Sequence, residues 1–294
     1  MLALRPYLLL LLTVIIFSGN ILIGKALAEL PALTISWVRV FIAMLVMVPI
    51  GASQMWRAMP VFKAHLPSLL GLALTGVAFF NALIYAALKT TSSTNVAILE
   101  STIPVVTILF GFALFGERYR AIQWLGVAAS LTGAVAVVTQ GDANPVDGVA
   151  IGDAIMLIAV LTWVGYSLLV KEHMAKFPRY GGLLAMLIIA NLALAPLAML
   201  EWLWSGRVPD IGTEQALGLA YLGIFPSVIA LLFYNSAIGD IGPTQASVFL
   251  NLLPVFTMLG AWLLIGETIT LVQVVGSLVV VGGVLLTTRG RRGG

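Results

Sequence analysis

Two short stripes of polar residues carry the first chemical signal. Thr94, Ala97, Ser101 and Pro104 recur 150 residues later as Thr244, Ser247, Asn251 and Pro254. Steps of three and four place each set on one helical face. Polar side chains in such apolar surroundings either bond between helices, worth about 0.6 kcal/mol each, or line a water-filled cavity. Pro104 and Pro254 add a backbone effect. Each lacks an amide proton and crowds the carbonyl four residues back, here Glu100 and Leu250. Both helices should bend there and could turn carbonyls toward a polar solute, although a plain packing kink has the same signature. Pro226 has the same capacity.

Other polar and aromatic residues fall on matching faces. Asn81, Tyr85 and Lys89 are spaced by four, and Thr13, Phe17 and Asn20 share a face. Trp163 and Tyr166 lie beside Thr162, and Ser227 precedes Tyr234 and Asn235. Aromatic walls with a few hydrogen-bonding groups suit an amphipathic metabolite, such as an amino acid with an apolar side chain. Trp56, Trp202 and Trp204 suit an interfacial belt instead. Glu100 is the one acid well inside an apolar run. It could carry a proton, face a substrate ammonium, or pair with Lys25, Arg39 or Lys89, and the ion pair is the favoured reading. Its repeat mate is Leu250, so symmetry does not require it. Glu117 and Glu267 each follow a glycine and are expected to cap the helix that comes next.

Several chemistries are excluded. The chain has no cysteine, which removes disulfides, thiolate metal sites and thiol catalysis. Gly19 to Lys25 imitates a phosphate-binding loop but lacks the Ser or Thr that holds magnesium, and no strand precedes it. His65 and His173 fall in separate predicted loops, so neither a metal nor a catalytic role is assigned. No cofactor is expected. With Glu100 and Arg39 nearly the only interior ionisable groups, an intramembrane lipid-modifying enzyme lacks its constellation. The expectation is therefore a non-enzyme. The net charge of +3 gives no reason to invoke nucleic acid.

The elements that must hold these residues are set by composition. Of the 294 residues, 61% are hydrophobic and 9% charged. Soluble domains carry about 25% charged residues. Lipid is the solvent that such a chain suits, and it admits helices because they satisfy their own backbone. Crossing takes about 20 apolar residues. Runs of about that length, nearly free of charge, occur ten times: Arg5–Lys25, a run to Arg57 that includes Arg39, His65–Lys89, Lys89–Glu117 interrupted only by Glu100, Arg120–Asp142, Asp153–Lys171, Arg179–Glu201, Glu214–Asp240, Asp240–Glu267 and Glu267–Arg289. The first run, with Ala26-Leu27-Ala28 after it, resembles a secretory signal. It is longer than a signal core and nine runs follow, so it is read as a helix. With a cytoplasmic N-terminus, the cytoplasmic segments hold Arg5, Arg57, Lys63, Arg118, Arg120, Lys171, Lys176, Arg179, Arg289, Arg291 and Arg292. The opposite side holds only Lys25, Lys89 and Arg207. That bias predicts both termini in the cytoplasm of a multi-pass bacterial inner (plasma) membrane protein.

The repeat extends beyond the stripes. Val105, Thr107, Gly116, Glu117, Gln123, Gly126 and Gly133 return as Val255, Thr257, Gly266, Glu267, Gln273, Gly276 and Gly283. Residues 1–141 and 142–294 thus read as two five-helix halves, and an odd number inverts the second. Inverted halves place a substrate site where they meet and supply two conformations for alternating access. Gly126 with Gly133, and Gly276 with Gly283, predict close helix packing.

Ser18-Gly19-Asn20 with Lys25, Trp37-Val38-Arg39, and the two segments running from Pro104 to Gly116-Glu117-Arg118 and from Pro254 to Gly266-Glu267-Thr268 give the chain a family likeness. It resembles the drug/metabolite transporter superfamily, in its EamA branch with two EamA repeats, over nearly its whole length. Within that branch it is similar to bacterial aromatic amino acid exporters of the YddG type. The resemblance implies a ten-helix, basket-like all-α membrane fold and export of a small molecule from the cytoplasm. Other cargoes of the superfamily, drugs or nucleotide sugars, are the alternative. A nucleotide sugar would need several buried cations for its phosphates, and only Lys25, Arg39 and Lys89 are available. A ten-helix unit can enclose its own cavity, so a monomer suffices, with lipid and substrate as its partners.

Overall fold

The computed structural model describes residues 5–115, 119–139, 150–241 and 249–289. All regular structure in them is helical. Helix α1 is Arg5–Ala26, α2 Ala32–Arg57 and the short α3 Met59–Ala64. Helix α4 covers Leu66–Leu88. Two pieces follow, α5 Ser93–Glu100 and α6 Ile103–Phe115. Helix α7 is Ala121–Val138, α8 Ile151–His173 and α9 Arg179–Ser205. Helix α10 runs through Thr213–Ile224, Phe225–Ala230 and Leu231–Ile241. Helices α11, Leu253–Ile265, and α12, Leu271–Arg289, come last. Among the described residues, eight helical stretches are long and apolar enough to cross a bilayer, and Leu253–Ile265 and Leu271–Thr287 are shorter apolar helices. The eight stretches match the first eight expected runs. The start of the ninth lies outside the described residues.

The outward faces are greasy, as lipid requires. Leu203, Trp204, Leu264 and Leu271 are all more than three-quarters exposed. Inside, small residues let helices touch. A Cβ on Gly126 would lie 2.5 Å from the Gly283 carbonyl oxygen, and one on Gly133 would lie 2.9 Å from that of Gly276. The repeated glycines therefore meet each other, and α7 and α12 run antiparallel. Helices α2 and α9 are also antiparallel. Gly51 and Gly181 sit at one end of their contact, where the Gln54 side chain accepts from the amides of Tyr180 and Gly181 at 3.1 and 3.2 Å. At the other end the Thr34 amide donates to Glu201 at 3.1 Å, and the Trp202 indole donates to the Thr34 hydroxyl at 2.8 Å. Trp202 thus has a packed, bonded position, whereas Trp56 and Trp204 are exposed.

Several departures from α geometry shape the interior. The helix after Ser93 is interrupted at Ser101–Thr102, two residues before Pro104, and the later one at Asn251–Leu252, two before Pro254. Each proline leaves the carbonyl four residues back without its amide partner. In α10 the helix widens to π geometry at Phe225–Ala230. Pro226 cannot bond the Leu222 carbonyl, and the Ser227 hydroxyl donates to that oxygen instead, at 2.8 Å. Helix α4 widens likewise over Ala73–Phe79.

Candidate functional site

Arg39 is the centre of a buried polar cluster inside the bundle. It is the eighth residue of α2, so about 10 Å in from that helix's start at a rise of 1.5 Å per residue. It is 4% exposed. Its Nη1 donates to Asn20 Oδ1 at 2.9 Å, to Asn81 Oδ1 at 2.7 Å and to the Tyr85 hydroxyl. Its Nε and Nη2 donate to Ser227 Oγ at 3.2 and 2.7 Å. Tyr85 passes its own proton to Asn20 Oδ1 at 2.9 Å, and the guanidinium carbon lies 5.5 Å from the Tyr85 ring centre. Helices α1, α2, α4 and α10 are thereby tied at one point.

Local sequence explains the arrangement. The Tyr85 ring fits because residue 24 is glycine: a Cβ there would lie 2.7 Å from the ring. Asn81 is oriented by its amide, which donates to the Val77 carbonyl at 2.8 Å. Ser227 has spent its proton on the carbonyl that Pro226 leaves free, so only its lone pairs face Arg39. Gly19 packs against the Tyr221 ring. The glycines that imitate a phosphate loop thus make room for tyrosines.

All four acceptors around Arg39 are neutral. Among the described residues no carboxylate comes within ion-pairing distance of it. A cation centred in a bilayer helix costs about 2.5–3.5 kcal/mol on insertion scales. Neutral acceptors recover part of that cost, but the charge is not cancelled. Glu100 lies at the same depth. It is the eighth residue of α5, and α2 and α5 both start at the Lys25 end of the bundle. Its carboxyl is within electrostatic reach of the Tyr85 hydroxyl, and it is half-buried with no hydrogen bond among the described residues. The expected ion pair with Lys25, Arg39 or Lys89 is corrected here. Lys25 donates to the carbonyls of Leu88 and Thr91 at 2.8 and 2.7 Å, capping α4. Lys89, one residue beyond that helix, is exposed. Arg39 is held by its four neutral partners.

Deeper in the bundle an aromatic wall begins. Phe80 and Trp163 have ring centres 4.4 Å apart, and Trp163 and Tyr166 4.9 Å. The Tyr166 ring occupies the space left by Gly76, where a Cβ would collide with it. Tyr234 lies within electrostatic reach of Tyr166. Ser101 is buried, and its hydroxyl donates to the Ala97 carbonyl at 2.9 Å. Asn251 is buried at the second helix break with its amide nitrogen unpartnered among the described residues. Ser247 lies outside the described residues. Thr162 turns away, into a lateral apolar groove of about 860 Å³ that it shares with Phe79 and Leu161.

A second polar cluster closes the Lys25 end. Glu267 accepts from the Ser93 amide at 3.1 Å and the Ser93 hydroxyl at 2.9 Å. It thus caps α5, in the other half of the chain. The expected cap on the helix that follows Glu267 is corrected by these bonds. The reversal follows from Gly266, whose φ of 72° turns the backbone back toward α5. Glu117 lies outside the described residues. Buried Asp153 accepts from the Thr91 hydroxyl and from Asn95 Nδ2, and Gln273 Nε2 donates to Asn95 Oδ1 at 2.8 Å. Sequence reasoning used Asp153 only to mark a helix edge. Its buried partners are not readable from sequence because they come from α5 and the turn before it.

The profile of the EamA-like transporter family matches residues 4–139 and 150–289, one copy on each half. The chain belongs to the EamA-like transporter family. Relatives agree with this membership. An uncharacterized transporter of Archaeoglobus fulgidus is 27% identical over 97% of both chains. The uncharacterized transporter YyaM of Bacillus subtilis is 27% identical over 73% of this chain and 70% of its own. The uncharacterized inner membrane transporter YedA of Escherichia coli K12 is 27% identical over 66% of this chain and 61% of its own. A crystal structure with 20% identity superposes with a TM-score of 0.66, covering 98% of this chain and 97% of that one, and so shares the fold. The EamA protein described here is thus a multi-pass membrane transporter with two EamA repeats. The helix breaks, the Arg39 cluster and the aromatic wall are features of its interior.

Proposed function

We propose that this EamA transporter exports small amphipathic metabolites from the cytoplasm, chiefly aromatic and other large apolar amino acids. The observation that carries the reading is the pairing of an aromatic wall, Phe80, Trp163 and Tyr166, with a polar cluster on its Lys25 side. Such a site offers one polar and one apolar contact to a single small solute. Drugs and nucleotide sugars fit less well. Lys25 is capped by carbonyls and Lys89 is exposed, which leaves Arg39 as the one interior cation among the described residues.

Export proceeds by alternating access between two inverted five-helix halves, giving ten spans with both termini in the cytoplasm. The antiparallel contacts of α2 with α9 and α7 with α12 support that symmetry, because each pair joins helices in equivalent positions of the two halves. The breaks before Pro104 and Pro254 are where each half can flex. The test is uptake into proteoliposomes with a panel of amino acids, sugars and cationic drugs at two pH values. Competition confined to aromatic and large apolar amino acids is expected. Transport of cationic drugs alone would replace this reading.

A further inference from the structure

We infer that Arg39 and Glu100 read the two charged ends of a zwitterion, with the substrate carboxylate on Arg39 and its ammonium on Glu100. The inference rests on the amino acid reading above and names the residues that give it chemical selectivity.

The first support is charge. Arg39 is enclosed by four neutral oxygen acceptors from three other helices. A guanidinium in low dielectric without a counter-charge is a site for an anion. Its flat fork matches a carboxylate. The side chains flanking it toward the interior, Asn81 and Ser227, are half-buried, so a small anion can approach from that side and replace one of them. The second support is the isolated acid. Glu100 has no hydrogen bond or ion pair among the described residues, and its charge acts electrostatically on Tyr85, which bonds to Arg39.

The third support is level. Counted from the Lys25 end, Asn20 and Asn81 are six and seven residues in from the ends of α1 and α4. Arg39 and Glu100 are seven residues in from the starts of α2 and α5. All four therefore sit roughly 10 Å deep. Trp163 and Tyr166 are 12 and 15 residues into α8, about 18 and 22 Å deep. Charges at one level and rings at the next define an oriented ligand, with its head toward the Lys25 end and its side chain toward the helix breaks. Arg39 selects for the carboxylate, Glu100 for the ammonium, and the rings for the side chain.

The experiment compares three ligands on the purified full-length transporter: L-phenylalanine, phenethylamine, which lacks the carboxylate, and 3-phenylpropanoate, which lacks the ammonium. Wild type is expected to bind phenylalanine at least tenfold tighter than either analogue. Arg39→Gln should abolish the preference for phenylalanine over phenethylamine and keep the preference over phenylpropanoate. Glu100→Gln should do the reverse. Arg39→Lys keeps the charge without the fork and should retain part of the preference. The assignment is overturned if folded Arg39→Gln weakens phenylalanine and phenethylamine equally, the mark of a positioning residue. Should the Arg39 variants not fold, the wild-type panel decides, and equal affinity for phenylalanine and phenethylamine overturns the assignment. The amino acid reading fails differently. Phenylpropanoate alone binding in an Arg39-dependent way would remove that reading and Glu100's role while keeping the carboxylate site. Binding of none of the three would end both.

Discussion

The bundle contains two buried polar clusters, and they are built to opposite rules. At the Lys25 end the charges of the cluster have their partners. Glu267 receives two hydrogen bonds from Ser93, Asp153 receives Thr91 and Asn95, and Lys25 donates to two carbonyls. About 10 Å deeper, Arg39 has neutral partners only, and Glu100 has none among the described residues. The first arrangement is self-sufficient and fastens α5 to α8, α12 and the turn before α12. The second leaves charge uncancelled where it is most costly. Satisfied networks hold structures together, and unsatisfied ones are completed by ligands.

Ligand-linked stability should separate the clusters most sharply. With phenylalanine at a hundred times its Kd, wild type gains about 2.7 kcal/mol of stability. Arg39→Gln, with a Kd at least tenfold weaker, is expected to lose about half of that gain or more, read as a reduced ligand-induced shift in Tm. Asp153→Ala leaves Thr91 and Asn95 without their shared acceptor, and it should cost about 1–3 kcal/mol in the unliganded protein. Its ligand-induced shift should survive. If the two variants behaved alike, the distinction between the clusters would be lost. Gly76→Ala should push the Tyr166 ring from its place and weaken phenylalanine by about tenfold, or about 1.4 kcal/mol. Glu267→Gln removes the charge from the α5 cap and is expected to lower stability by about 1 kcal/mol, with affinity unchanged. Trp204→Ala, at an exposed site, should move stability by less than about 0.5 kcal/mol and is the control.

The two clusters also differ in how readable they were. Helix positions follow from hydropathy, because charge in lipid is costly enough to mark the edge of nearly every span. The repeat was legible from Pro104, Glu117, Gln123, Gly126 and their mates, since side chains that answer backbone geometry keep their spacing. Candidate residues such as Asn20, Asn81, Tyr85 and Arg39 could be named from helical faces. Their convergence could not, because a helical wheel orients a residue without naming the helix it faces. The Lys25 end was largely missed for that reason. Asp153 looked like a boundary, and Glu267 looked like a cap for its own successor, until Gly266 turned it toward Ser93. The mate of Arg39 was misjudged on charge alone, although Ser227 was prepared for that role by Pro226 one residue before it.

Accessibility labelling tests the solute pathway most directly, and the absence of native cysteine makes it clean. Single cysteines at Asn81, in the first half, and at Tyr166, in the second, should react with a charged, membrane-impermeant thiol reagent. Phenylalanine should slow both reactions. A cysteine at lipid-facing Leu192, which is 69% exposed on the bundle surface, should react only with a lipid-soluble reagent. If positions 81 and 166 instead behaved like position 192, the pathway described here would not exist.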